Sequence, residues 1–139
     1  MTEASSTGTE PVLRGESLAK RVLRVVCAVS MVSVGVLHFV KPDGFVRIVP
    51  AFLPAPLLLV YVSGFFEVCG GVGILMRPPI RAIAAYGLIC LYIAVFPANI
   101  NMAVHHIQLS EGGTMSPALM WARLPLQALF VAWAYWLRH

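Results

Sequence analysis

The chain has 139 residues, of which 59% are hydrophobic and only 12% charged, with a formal net charge of +4 and a mean hydropathy of +0.82. A soluble domain carries about 25% Asp, Glu, Lys and Arg, roughly twice this share. So apolar a chain cannot face water throughout, which excludes a soluble enzyme, and its length accommodates one domain.

Residues 1–17 are rich in Ser, Thr and Glu and read as a disordered cytoplasmic tail. A membrane-spanning helix needs about 20 mostly apolar residues, and residues 22–39 supply the first. No A-x-A cleavage site follows it, so it reads as an uncleaved anchor. Segment 38–56 is too polar and proline-rich to span. Phe45, Ile48, Val49 and Phe52 share one helical face there, with Asp43 placed to cap a helix and Pro50 to break it. An interfacial segment with its apolar face in lipid is expected; an irregular loop is the alternative. Further spans are expected over 57–76, over 80–102 with an interruption at Pro97, and over 118–137. The fold class is therefore all-α: a four-span membrane domain over 18–139, joined by short connections into an up-down-up-down bundle.

Orientation follows from the basic residues. Arg14, Lys20, Arg21, Arg24, Arg77, Arg81 and Arg138 fall on one side, against Lys41 and Arg47 on the other. The richer side is expected in the cytoplasm, with both termini. These charges read as topology markers. They form no stripe or groove suited to nucleic acid.

Polar residues within spans are rare and generally face a bundle interior. His38 closes span one; Tyr61, Ser63 and Glu67 lie in span two. Asn99 and Asn101 end span three, followed by His105 and His106. Arg123 and Gln127 lie in span four. Once the spans alternate in direction, all of these fall in the outer half of the bundle. Helical phase adds that Gly64, Glu67 and Gly71 form one stripe, whose glycines allow another helix to approach closely. Glu67 and Arg123 lie at matching depth and are the expected ion pair. That pair would either line an outward-facing pocket or fasten spans two and four, with the amides satisfying backbone broken at Pro97 and Pro125.

His38, His105 and His106 lack metal-ligand spacing, and no metal site is expected. Cys27, Cys69 and Cys90 lie within spans, without the C-x-x-C arrangement of a thiol relay. Trp121, Trp133, Tyr135 and Trp136 read as an aromatic belt at the ends of span four.

Five stretches, read together, carry a family likeness. They are Gly35-Val36-Leu37-His38-Phe39; Ile48-Val49-Pro50 with Leu53-Pro54; and Tyr61-Val62-Ser63-Gly64 with Glu67. The others are the run from Val95 through Phe96-Pro97-Ala98-Asn99-Ile100-Asn101 to Ala103, and Trp121-Ala122-Arg123-Leu124-Pro125-Leu126-Gln127 with Trp133. Over about 22–137 the chain resembles the DoxX family of small bacterial four-span membrane proteins. A departure is Asn101, where some members carry Tyr. The resemblance implies a bacterial cytoplasmic membrane protein associated with quinol oxidation, thiosulfate:quinone oxidoreduction or redox-stress complexes.

Two function classes follow. One is a redox-associated subunit that holds a quinone-like or other small amphipathic molecule through Glu67, Arg123, Gln127, His38, Asn99, Ser63 and Tyr61. The chain has no evident intrinsic cofactor, so electrons would come from a redox-protein partner. The other is a non-catalytic assembly protein whose polar cluster is structural, or docks a partner or a second copy. Four spans without broken-helix repeats suit alternating-access transport poorly.

Overall fold

The structure is a computed structural model that describes residues 15–139. It contains five helices and, among the described residues, no strand: α1 (Leu18–Val40), α2 (Pro42–Ile48), α3 (Pro56–Ile74), α4 (Ile80–His105) and α5 (Pro117–Leu137). Their ends follow local chemistry. Ser17 caps α1 by accepting the Lys20 N–H at 3.3 Å, and Ser116 caps α5 by accepting from Leu119. Pro42, Pro56 and Pro117 each sit in a first turn, where the missing N–H costs nothing. Val49 is extended because Pro50 follows it, and this stops α2. α4 runs through Pro97 without a break and ends at His106, whose left-handed φ of 51° turns the chain away. α1, α3 and α4 are long and apolar enough to cross a membrane. α5 is long enough but, carrying Arg123, Gln127 and Pro125, is less apolar.

The helices pack in sequence: α1 on α3, α3 on α4 and α4 on α5. Small residues set the first two contacts. A Cβ on Gly64 would lie 2.6 Å from the His38 Cβ and 2.9 Å from the Gly35 carbonyl oxygen. A Cβ on Gly71 would lie 2.9 Å from the Ala28 carbonyl. α1 and α3 are thus antiparallel and in near backbone contact along the stripe that holds Glu67. α3 meets α4 in the same way near its other end, through Gly70 against Leu88 and Gly73 against Ala84. Two apolar clusters close the assembly at opposite ends. One gathers Cys27, Ile74, Leu88 and Leu137; the other gathers Ile48, Met102, Ala103 and Met120.

Two expectations change here. α2 does not turn its apolar face to lipid. Phe45 stacks on His38 with ring centroids 3.8 Å apart, and Ile48 is buried against α4 and α5. Only Phe52 of that face points outward. The reason lies in the tethers that hold α2 down: Asn101 donates to the Ile48 carbonyl at 2.9 Å, and Arg47 pairs with Glu111 at 2.9 Å. Gly44 meanwhile lies directly against the Leu109 backbone.

The second change concerns the tail and Arg24. Residues 1–14 of the expected tail lie outside the described residues. Glu16 and Ser17, assigned to that tail, are engaged with α1. Arg24 was expected as a topology marker, yet it is buried, pairing with Glu16 through two contacts and donating to the His139 carbonyl at 3.1 Å. It ties the start of α1 to the second residue beyond α5.

Two tests follow. Gly64→Val should lower thermal stability in detergent by about 1–3 kcal/mol, the cost of forcing volume into a packed seam, because neither the Gly35 carbonyl nor the His38 Cβ can retreat. The Arg24 guanidinium, by hydrogen bond and charge, holds the Glu16 carboxyl below its ordinary range. A depressed carboxylate stabilises the fold above its unfolded value, about 4.3, and that contribution disappears as pH falls through the folded value. Glu16→Gln should therefore lower the melting temperature at neutral pH, with the difference from the native chain vanishing in acid.

Candidate functional site

Between the α1/α3 pair and the α4/α5 pair lies a cavity of about 930 Å³. Its wall is mostly apolar, with aromatic surface from Phe45, Phe66, Tyr92, Phe130 and Trp133. Six of the seven residues expected at a site line it: His38, Ser63, Glu67, Asn99, Arg123 and Gln127. Tyr61 does not. It stacks on Phe39 with centroids 5.4 Å apart and borders a separate shallow hollow with Val46 and Pro56. On α3, position 61 points past the α1 seam, whereas 63 and 67 point inward.

Glu67 is buried in the α1/α3 seam. Its Oε2 lies 3.3 Å from His38 Nδ1, but that nitrogen is also 2.8 Å from the Val34 carbonyl oxygen. The shorter contact goes to a group that can only accept, so Nδ1 carries the proton and donates it to Val34. Glu67 Oε2 is consequently buried without a hydrogen-bond partner. The neighbouring Ser63 hydroxyl is turned to its own helix, donating to the Val60 carbonyl at 2.9 Å.

The expected Glu67–Arg123 ion pair does not form. Both line the cavity, but no carboxylate among the described residues pairs with Arg123. The cause is helix order: α4 stands between α3 and α5, so a matching depth does not bring the two side chains together. Fastening by that pair is excluded with it.

The amides play the backbone role instead. Gln127 donates to the Tyr92 carbonyl and accepts from Asn99 Nδ2 at 2.7 Å. Pro97 lacks an N–H, so it frees the carbonyl of Ile93, four residues earlier. Gln127 supplies an additional donor beside that gap. Asn99 and Gln127 therefore hold α5 to the proline-bearing part of α4.

Three further lining residues are not placed at the site by the sequence reading. Trp133 was assigned to an aromatic belt, but it lines the cavity and its buried indole N–H has no acceptor. Tyr92 donates to the Met31 sulfur at 3.0 Å, a weak acceptor. Phe45 reaches the cavity from α2. Helical phase could have placed Trp133, since it lies near the Phe130 and Leu137 face of α5. Phe45 could not be placed without the loop contacts.

Among the described residues, no three of His, Cys, Asp and Glu gather as metal ligands. The three thiols are unpaired, Cys27 buried and Cys69 and Cys90 exposed.

The two kinds of polar contact predict opposite mutational outcomes. Gln127→Leu removes the extra donor to the Tyr92 carbonyl and leaves the Asn99 amide without its partner, and should destabilise the protein by about 1–3 kcal/mol for the group left unpaired. Arg123→Gln removes no partner and should leave thermal stability unchanged or raised. Parallel thermal denaturation of the two variants checks both.

No curated protein matches the chain, and no solved structure does. Residues 27–138, which cover most of α1, all of α3, α4 and α5, and the cavity lining, match the profile of a domain of unknown function, DUF8561, and the chain belongs to that family.

Proposed function

We propose that the protein is a four-span, up-down-up-down membrane bundle with both termini in the cytoplasm. Its cavity holds a small amphipathic molecule with a quinone-like head. The lipid setting rests on α1, α3 and α4, each apolar enough to span. It rests also on their outer surfaces, where Val22, Val29, Phe65, Ile83 and Ile93 are exposed. Apolar residues of this size on the exterior of long helices are stable in hydrocarbon and costly in water. The sidedness rests on the distribution of Lys and Arg; on that reading His38, Glu67, Asn99 and Arg123 lie in the outer half and Trp133 nearer the inner end of α5.

One observation carries the ligand reading. Two buried polar groups without hydrogen-bond partners line one apolar cavity, Glu67 Oε2 and the Trp133 indole N–H, and the half-buried Arg123 lines it too. Buried polar groups are normally paired, and a largely apolar cavity with a few convergent polar groups is the usual form of a small-molecule site. Arg123 and Trp133 are about 15 Å apart along α5, so a carbonyl oxygen of the head would accept from one of them. Glu67, in contact with His38, is placed to take or give a proton at a ligand oxygen. The aromatic wall suits a flat ring. The likeness to DoxX proteins supports a place in a quinone-linked redox complex, at the bacterial cytoplasmic membrane, with electrons brought by a partner protein.

The second reading, a scaffold, has its own support: Asn99, Asn101 and Gln127 are all spent on holding helices together. It accounts for the amides and leaves Glu67 and Trp133 unexplained.

The test uses the full chain in lipid nanodiscs with Trp121→Phe and Trp136→Phe, so that emission reports Trp133. A decyl-substituted benzoquinone should quench it saturably. Arg123→Gln should raise the Kd of the quinone about tenfold, equivalent to about 1.4 kcal/mol, and Glu67→Gln should do so for the corresponding quinol, whose hydroxyl can donate to the carboxylate, each with little change in melting temperature. Unsaturable quenching in the native-cavity protein, together with loss of partner co-purification in Glu67→Gln, would establish the scaffold instead.

A further inference from the structure

The α3/α4 contact is tight at one end and absent at the other. Gly70 and Gly73 hold the helices together: a Cβ on either would meet Leu88 or Ala84 at 2.5 Å. Beside that contact and beyond it, Leu59, Val62 and Phe66 of α3, and Gly87, Cys90 and Ala94 of α4, all line the cavity and are all exposed, Gly87 being level with the tight contact. Residues that are both exposed and lining mark a mouth. On each helix these three positions recur at three- or four-residue spacing, so each set forms one edge of a single opening along the helix axes.

Gly87 is informative within that opening. Unlike Gly70 and Gly73, it touches nothing: a Cβ there would have no heavy atom within 4 Å. Glycine inside a helix is unfavourable relative to alanine, and packing does not account for it here. A separate observation points inward from the mouth to a ligand. Glu67, one residue from Phe66, is more than nine-tenths buried, with Oε2 unpartnered inside the same cavity.

We propose that the α3/α4 mouth is a lateral portal through which a long-chain amphiphile enters from the plane of the bilayer. Its polar head is drawn in towards Glu67 and Arg123. Its chain stays in the mouth, against Gly87, Cys90 and Ala94 on one edge and Val62 and Phe66 on the other. The ligand class is thereby narrowed from any small amphipathic molecule to a lipid whose single chain remains in contact with the membrane. This rests on the ligand reading above and adds the route and the chain.

The test compares two probes on the Trp133 reporter in nanodiscs: decyl-substituted benzoquinone and the tail-free dimethoxy-methyl-benzoquinone. Gly87→Leu fills the mouth without meeting another atom, and Ala94→Phe narrows it independently. Both should keep or raise the melting temperature, weaken the decyl probe at least about tenfold, and leave the tail-free probe unchanged. Equal loss of both probes, or loss of neither, would overturn the portal while leaving the ligand site standing. If the native-cavity protein binds neither probe, the ligand reading fails and the portal with it.

Discussion

Everything in this molecule depends on how closely α1 and α3 approach. Gly35, Gly64 and Gly71 bring the two backbones near enough that a single added methyl group would collide with a carbonyl oxygen. In a lipid environment, where apolar side chains gain nothing by leaving solvent, close packing of small residues is a main source of helix association. It also seals Glu67 into the seam. The carboxylate cannot turn to the exterior, so its free oxygen is directed into the space beside α1. With α1 and α3 fused into one unit and α4 and α5 held together by Gln127, the cavity is what remains between two rigid pairs. The pairs are joined firmly only at their ends.

Arg123 shows how that arrangement sets the electrostatics. On the membrane reading proposed above, an arginine within α5 would cost up to about 2.5–3.5 kcal/mol on insertion scales, which argues for a partner. The nearest match by depth is Glu67, but α4 lies between the helices that carry them. The cost is reduced in another way. Arg123 is about two turns from the start of α5 and only half-buried, so its long stem can carry the guanidinium towards the polar edge. A cation held in this manner keeps its donors available to whatever occupies the cavity, which an ion-paired arginine would not.

The helices were legible in the sequence because hydrophobic length and proline placement are local properties. The stretches 22–39, 57–76, 80–102 and 118–137 are helical, as α1, α3, α4 and α5, with ends shifted by a few residues, and α1, α3 and α4 are apolar enough to span. The convergence of His38, Glu67, Asn99, Arg123 and Gln127 on one space was legible too, because alternating direction and helical phase suffice to derive it. The partners were not. Which groups pair depends on the order of helices around the cavity, and neither depth nor phase encodes that order. The same limitation misplaced Tyr61 and put the apolar face of α2 into lipid. Its inward orientation is fixed by Asn101, Glu111 and Leu109, from chain some sixty residues away. Trp133 was misread because an interfacial tryptophan and a cavity tryptophan look alike until the neighbouring helix is known.

Two explanations compete for the polar residues, and hydrogen-bond bookkeeping separates them. If these groups served only to fasten the bundle, each should be satisfied by the protein itself. The amides behave this way: Asn99, Asn101 and Gln127 each bond to another helix, and two of those bonds go to main-chain carbonyls. Glu67 Oε2 and Trp133 Nε1 do not. Both are buried and unpaired, and both belong to residues that line the same space. Arg24 Nε is also unpaired, but its guanidinium is satisfied at the far end of the molecule through Glu16 and His139. Leaving a buried polar group unpaired costs about 1–3 kcal/mol, a cost that fastening alone cannot explain for two groups on one cavity. A molecule that donates to the carboxylate and accepts from the indole would remove both penalties on binding. The affinity of the site would then come largely from the groups that the fold itself leaves unsatisfied.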